Sequence, residues 1–307
     1  MSEKKTSFTL QIKKELAGQS TAEACCLQSE CAGMLLFARR FEAEGMEFCS
    51  ESEAAAQRLL SLLRRCFGIK TEEKTVNAGR HVLHTVGLQG GESQSVYTAL
   101  GYEPGQVSLR VLMSLFQCER CAASFLRGAF LACGAAAEPE KGSRVEFVTR
   151  RSGLARDLMY LLESETGMAA RLSTRAGKQV VYIKNGQQAE ELLALMGAGV
   201  SSMELMGGKI LRGVRNEANR IYNCDSANTK KVVGAATRHR EAILSIKKTK
   251  GLAWLTPELR ELAVLRLENP ELSLTQLGQL TDPPMTKSGV AHRLARLVEI
   301  ADSVKGL

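Results

Sequence analysis

Apolar positions along this 307-residue chain follow two periods, and their order repeats. Phe8, Ile12 and Leu16 fall on one face of a helix over 8–17. Residues 23–41, with Cys26, Leu27 and Met34-Leu35-Leu36-Phe37, predict a strongly apolar, buried helix. A strand at 46–50 and a helix at 52–66 come next. Strands at 69–75 and 80–88 then flank the turn signal Asn77-Ala78-Gly79, and a helix covers 92–100. The same succession recurs about 95 residues later: helix 121–136, strand 144–149, helix 152–165, strands 169–174 and 179–184 around Ala176-Gly177, helix 186–196. Such self-similarity predicts two α/β halves packed as a pseudo-dimer.

The apolar helix of each half carries a related stretch. The first reads Cys31-Ala32-Gly33-Met34-Leu35-Leu36-Phe37-Ala38-Arg39, the second Leu126-Arg127-Gly128-Ala129-Phe130-Leu131-Ala132-Cys133-Gly134. A glycine inside a helix costs about 1 kcal/mol relative to alanine, and close approach of two helix backbones would account for it. Two unrelated core helices that each contain glycine are the other reading. The pattern resembles the LAGLIDADG homing-endonuclease fold. That resemblance implies an acid at the eighth motif position, holding a divalent metal. Ala38 and Cys133 stand there, and neither offers the hard oxygen ligand such a metal needs. Glu42, Glu44 and Glu138 lie at least a helical turn away. The expectation is a scaffold without catalytic residues and without cleavage; a working endonuclease is the competing one.

Three helices are predicted near the C-terminus. Thr256-Pro257-Glu258 starts a helix running to Glu268, where Asn269-Pro270 stops it. Ser273-Leu274-Thr275-Gln276 has the form of a capping box, opening a helix over 274–280 that buries Leu274, Leu277 and Leu280. Asp282-Pro283-Pro284 turns the chain into a third helix over 287–300. On that helix Val290, Leu294, Leu297 and Val298 face inward. Ser288, Gly289, His292, Arg293 and Arg296 face outward with no carboxylate among them. Donors, guanidinium forks and a glycine are what a major-groove reader requires, and Lys287 at the helix start suits a phosphate. Thr275 and Gln276 join the candidate DNA contacts. A small structural three-helix domain is the alternative.

Charge sharpens this picture. The net +8 of the chain equals the balance of residues 205–250 alone, which carry eleven basic side chains against Glu217, Asp225 and Glu241. Residues 1–199 are nearly neutral at +2. The block is read as an electrostatic footprint for a polyanion, with Arg220, Lys230, Lys231, Arg238, Arg240, Lys247 and Lys248 as contacts to the DNA backbone. A solvated linker is the plainer reading. The resulting layout is an N-terminal helix over 1–20, a two-repeat domain over 21–200, a basic helical linker over 201–253 and a helix-turn-helix domain over 254–307.

With these pieces assembled, the chain resembles the WhiA family over essentially its full length. The resemblance rests on Ser7-Phe8-Thr9 with Lys14-Glu15-Leu16, on Phe125 through Ala132, on Asn219-Arg220, Asn223-Cys224 and Ala227-Asn228, and on Lys287-Ser288-Gly289-Val290 with His292-Arg293-Leu294. It departs from the usual pattern at Cys133, where glycine is common. The resemblance implies an α+β fold: a LAGLIDADG-like pseudo-dimer tethered to an all-α helix-turn-helix similar to sigma region 4. It further implies a bacterial regulator of transcription, cell division, chromosome segregation or sporulation. Its partners would be double-stranded DNA and the RNA polymerase sigma subunit, and it would be cytoplasmic and nucleoid-associated. A nucleoid-associated or sigma-binding adaptor with little direct transcriptional control is the variant reading. A monomer with internal pseudo-two-fold symmetry is expected.

Composition excludes other classes. With 44% hydrophobic and 24% charged residues the chain is neither disordered nor fibrous. No stretch of about 18 apolar residues could span a membrane, and the first residues lack the apolar core of an export signal. Nine cysteines are expected to be reduced. Cys118-Glu119-Arg120-Cys121 lacks an obvious second ligand pair. Adjacent Cys25 and Cys26 look ill-placed to share a metal, and His81 and His84 point to opposite faces of a strand. No metal or cofactor is therefore expected. Gly207-Gly208-Lys209 is too short for a phosphate loop, and His239 and His292 are read as contacts to the nucleic-acid backbone.

Overall fold

A computed structural model of the chain describes residues 6–79, 81–106 and 108–305, apart from the side chains of Asn228 and Lys305. Arg80, expected to open a strand, lies outside the described residues, as do the extreme ends of the two terminal segments. The chain divides into two units, Met1–Val214 and Arg215–Leu307. No helix among the described residues is long and apolar enough to cross a membrane.

The first unit opens with α1 (Phe8–Ala17), α2 (Ala24–Leu36), β1 (Arg40–Glu42), β2 (Gly45–Ser50), α3 (Glu53–Phe67), β3 (Glu73–Ala78), β4 (His81–Gln89) and α4 (Gly90–Ala99). After a short 3-10 turn come α5 (Cys121–Cys133), β5 (Gly134–Ala136), β6 (Val145–Thr149), α6 (Ser152–Thr166), β7 (Arg171–Arg175), β8 (Lys178–Ile183) and α7 (Gly186–Met196). Helix α8 (Gly199–Thr249) has residues in both units. The two antiparallel sheets run β1-β2-β4-β3 and β5-β6-β8-β7, one order written twice. The duplication expected from the sequence is therefore a duplication of topology. Helices α2 and α5 end at Leu36 and Cys133, short of the predicted 41 and 136, because the chain turns at once into β1 and β5. Strands of three residues show too little alternation to stand out in a sequence.

The paired glycines explain how the halves join. A Cβ on Gly33 would lie 2.3 Å from the Phe125 carbonyl oxygen, and one on Gly128 only 2.0 Å from that of Glu30. Each glycine thus lets its own helix touch the backbone of the other, the close approach their spacing predicts. One turn before Gly33, Glu30 is completely buried. Arg58 from α3 donates to both of its oxygens at 2.7 and 2.8 Å, and the Arg127 guanidinium lies 3.5 Å away.

Helix α1 belongs to this core rather than standing apart. Phe8, Ile12 and Leu16 are buried in it, as their spacing requires. Thr9 Oγ1 accepts from Ala136 N–H at 3.0 Å, tying α1 to β5. The Glu15 carboxylate accepts from the N–H groups of Val200 and Ser201 at 2.7 and 3.0 Å, capping the positive end of α8. The N-terminal residues that carry the family resemblance are thus fasteners.

Replacing Gly128 with alanine is expected to destabilise the first unit by about 1–3 kcal/mol or more, since the added methyl meets rigid backbone. Gly207 on α8 has nothing within 4 Å of its missing Cβ. Gly207→Ala should therefore stabilise by about 0.4–1 kcal/mol. Urea unfolding midpoints of the two variants should move in opposite directions.

Candidate nucleic-acid interface

The second unit contains the end of α8, a 3-10 turn at Leu252–Trp254, α9 (Pro257–Glu268), α10 (Leu274–Gln279) and α11 (Lys287–Lys305). Its core is Leu255, Leu262, Ala263, Leu277, Val290, Leu294, Leu297 and Ala301, together with Ala242, Ile243 and Ile246 from α8. The segment expected to be a linker therefore supplies part of this core. The capping box is present: Gln276 N–H donates to Ser273 Oγ at 3.4 Å, and Gln276 Oε1 accepts from Ser273 N–H at 3.0 Å. Leu280, expected to be buried, is 50% exposed because α10 ends one residue before it.

Two features fix the geometry between the helices. A Cβ on Gly278 would sit 2.2 Å from the Met285 carbonyl oxygen, so the turn closes tightly on α10. Arg266, only 2% exposed, points into the loop after α9 and donates to the carbonyls of Leu272 and Pro270 at 2.8 and 3.3 Å. Burial depresses its pKa.

The candidate contact residues separate on this frame. Thr275, Gln276, Lys287, Ser288, His292 and Arg296 are exposed; Gly289 is half-buried. Arg293 is half-buried as well, its guanidinium against Met285 Sδ, so part of its role is internal. The outer face is also less free of acid than the mapping over 287–300 suggested. Arg296 pairs with Glu299 at 2.8 Å, because residues three apart share a helix face. An exposed pair of this kind is worth little and yields readily to a phosphate. A methyl on Gly289 would meet only ordinary contacts, so nothing inside the fold demands glycine there.

The basic block is equally divided. Lys209 pairs with Glu190 at 3.4 Å and Arg212 donates to Gly142 and Ser143, so both serve the first unit. Arg220, Lys230, Lys231, Arg238, Arg240, Lys247 and Lys248 are all exposed on α8, with no ion pair among the described residues. His239 is not available as expected. It is half-buried with its Nδ1 unpartnered, and burial, Arg266 and Arg238 lower its pKa. Gly207-Gly208-Lys209 is helical, and Gly208 packs against Pro139.

At the C-terminal ends of α2 and α5 lies a pocket of about 650 Å³ lined by Ala38 and Cys133. Its charged lining is Lys13, Arg39, Arg150, Arg151 and Lys178, with no carboxylate. Arg151 donates to the carbonyls of Leu36 and Ala38 at 2.8 and 3.0 Å. Burial lowers the pKa of Lys13 and pushes the Cys133 thiol up to about 12, with Lys13 opposing the latter. Glu42 pairs with Arg40, and Glu138 accepts from Phe8 N–H. The residues present do not fit a divalent metal.

On and beside the strands some cations pair locally, Arg39–Glu47, Arg40–Glu42, Arg144–Glu146 and Arg175–Glu146, while Lys74, Arg171 and Lys178 make no ion pair among the described residues. His81 and His84 pair separately, with Glu51 and Glu73, as opposite faces require. The cysteines correct the sequence expectation. Cys25, Cys26, Cys118 and Cys121 come together with all four sulfurs within 4.8 Å of one another. A signal was available: the offset that maps Gly33 onto Gly128 also maps Cys26 onto Cys121. Glu30, Arg58 and Arg266 left no comparable signal, since each looks like an ordinary helix-surface charge in sequence.

Family models match residues 122–215 as the WhiA LAGLIDADG-like domain and residues 218–301 as the WhiA C-terminal HTH domain. The chain is 32% identical to a probable cell division protein WhiA of Clostridium botulinum, over 97% of this chain and 99% of the relative. It is also 32% identical to the corresponding protein of Heliobacterium modesticaldum, over 97% and 96%. The crystal structure of full-length DUF199/WhiA from Thermatoga maritima superposes with a TM-score of 0.58 at 25% identity, over 97% of this chain and 99% of that one.

Trp254, the single tryptophan, reports on the second unit. Arg266→Ala orphans the loop carbonyls and is expected to cost about 2–4 kcal/mol, read as a lowered unfolding midpoint. The fold favours neutral His239, so its contribution is full at neutral pH. It should be lost as pH falls below about 6.5 towards the lowered folded value. His239→Gln should flatten that acid limb in the same fluorescence assay.

Proposed function

Because the chain belongs to the WhiA family, we propose that it is a sequence-specific double-stranded-DNA-binding regulator. It acts on transcription in the service of cell division and chromosome segregation, or sporulation, and works at the nucleoid. The observation that carries this reading is the start of α11. There Lys287, Ser288 and His292 stand exposed around a glycine that the interior does not require. Ser288, His292 and Arg296 read base edges, with Arg293 adding to them from a guanidinium already braced by Met285. Thr275, Gln276 and Lys287 position the reader on phosphates, and Arg220, Lys230, Lys231, Arg238, Arg240, Lys247 and Lys248 of α8 supply sequence-independent attraction.

The LAGLIDADG-like unit is a non-catalytic scaffold in this reading. Its pocket holds fixed cations where metal-binding acids would be required, and Arg151 covers the carbonyls at the end of α2. The near-neutral charge of residues 1–199 favours a protein-facing role for this unit, with the RNA polymerase sigma subunit as the candidate partner. Since α2 and α5 cover each other within one chain, we read the protein as a monomer of 33.4 kDa.

Substitution of His292 by alanine should cost about 1–3 kcal/mol against the preferred site and little against random DNA. Joint replacement of Lys230 and Lys231 should weaken binding to every sequence and reduce the salt slope by about 1.8. Gel shifts over a salt series separate the two effects, and unchanged affinity and slope in both variants would sink the proposal. Purified protein should leave bound DNA intact in magnesium or manganese; site-specific scission would show the scaffold reading to be wrong.

A further inference from the structure

The N-terminal ends of α2 and α5 bring four cysteines together. Cys25 and Cys26 occupy the first turn of α2, and Cys121 is the first residue of α5, with Cys118 on the loop just before it. Cys118 Sγ lies 3.6 Å from Cys25 Sγ, 3.5 Å from Cys26 Sγ and 3.5 Å from Cys121 Sγ. A zinc ion with four thiolate ligands at about 2.3 Å holds its sulfurs roughly 3.8 Å apart. The three separations from Cys118, and the 4.8 Å limit on the others, accommodate a tetrahedron around a single ion. A cubane iron–sulfur cluster needs a wider ring of thiolates than one whose members all lie within 4.8 Å.

We propose that Cys25, Cys26, Cys118 and Cys121 form a structural tetrathiolate zinc site that clamps the two central helices together. Adjacent cysteines serve as ligands here because they sit in the first helical turn, where the chain enters from extended backbone at Glu23. Both can then reach the same point from one helix end. The duplication supplies the rest. Cys26 and Cys121 are equivalent positions of the two repeats, brought face to face by the same pseudo-symmetry that opposes Gly33 and Gly128.

The surroundings suit an anionic cluster. Two helix N-termini aim their positive ends at the sulfurs. Ser29 Oγ lies 2.9 Å from the carbonyl oxygen of Cys25 and 2.5 Å from that of Leu115, and its single proton, donated to the nearer Leu115 oxygen, ties the first turn of α2 to the segment that leads to Cys118. Arg120, paired with Glu23, adds a positive charge close to Cys26 and Cys118. Crowded thiols that cannot all ionise alone do so on a dication. Binding releases their protons to solvent, with no change of oxidation state.

Metal analysis of the full-length protein, purified without chelator, tests this directly. About one zinc per chain is expected, falling below about a tenth in Cys118→Ser/Cys121→Ser and staying at one in Cys49→Ser/Cys224→Ser. Cobalt exchanged into the wild-type protein should give the visible and thiolate charge-transfer bands of a tetrahedral tetrathiolate ion, a readout that does not depend on any variant folding. Removal of zinc by chelation should lower the melting temperature, and added zinc should restore it. Wild-type protein that takes up no zinc and gives no cobalt bands would overturn the site. So would zinc retained in the Cys118/Cys121 variant, iron at one equivalent in place of zinc, or a disulfide among the four cysteines.

Discussion

Backbone contact between α2 and α5 is the constraint on which the first unit depends. Side chains normally hold packed helices 8–10 Å apart, but at Gly33 and Gly128 each helix rests on the other's carbonyl oxygens. Nothing larger than glycine fits at either point. That close approach fixes the pseudo-two-fold relation, and the relation fixes where each four-stranded sheet must lie. It also carries a polar burden. Glu30, in the turn beside Gly33, is fully buried, and Arg58 and Arg127 reach its carboxylate from two other segments. Such a trio adds little net stability over an apolar packing, but losing one member leaves a buried charge exposed to its full desolvation cost.

Because the two helices run in the same direction, their dipoles reinforce one another at both ends. The N-terminal ends favour negative charge, and four cysteines stand there. The C-terminal ends favour positive charge. A LAGLIDADG nuclease would place acids and a metal at that end; this chain places Arg151 on the carbonyls of Leu36 and Ala38 and buries Lys13 beside Cys133. The same field is satisfied without a divalent ion. At Ala38 and Cys133, where the motif resemblance implies acids, the field at the helix ends is met instead by cationic side chains of the protein itself.

Legibility in the sequence followed the physics of each signal. Helices and central strands could be placed to within a few residues because burial imposes a period on them. The segment α7 and the helix α9 came out with their observed bounds, since Gly197 and Asn269-Pro270 end them sharply. The edge strands β1 and β5 left no trace because three residues make no period. Clusters were harder. The four cysteines come from two segments about 93 residues apart in sequence, and adjacency of Cys25 and Cys26 argued against a shared ligand until the first-turn geometry was visible. Leu280 and His239 departed from expectation, and Arg266 and Arg293 proved wholly or partly internal, for one reason: helical mapping assigns a face, but not what loops and neighbouring helices cover. Arg266 is the plainest case, a cation buried because three loop carbonyls need a donor.

The two glycines flanking the turn of the second unit separate internal need from external purpose. Gly278 is fixed from inside, since a methyl there would collide with the Met285 carbonyl and open the angle between α10 and α11. Gly289 sits in the first turn of α11, where glycine costs about 1 kcal/mol and a methyl would be tolerated. Its neighbours Lys287, Ser288 and His292 are exposed, and the N-terminal dipole of α11 points outward among them. A helix end that is smoothed, cationic and rich in donors, at some cost to the fold, suits the proposed contact with DNA. Phosphate and base edges of a DNA groove meet each of those demands at once: close backbone approach, positive charge and hydrogen-bond donors on a single turn.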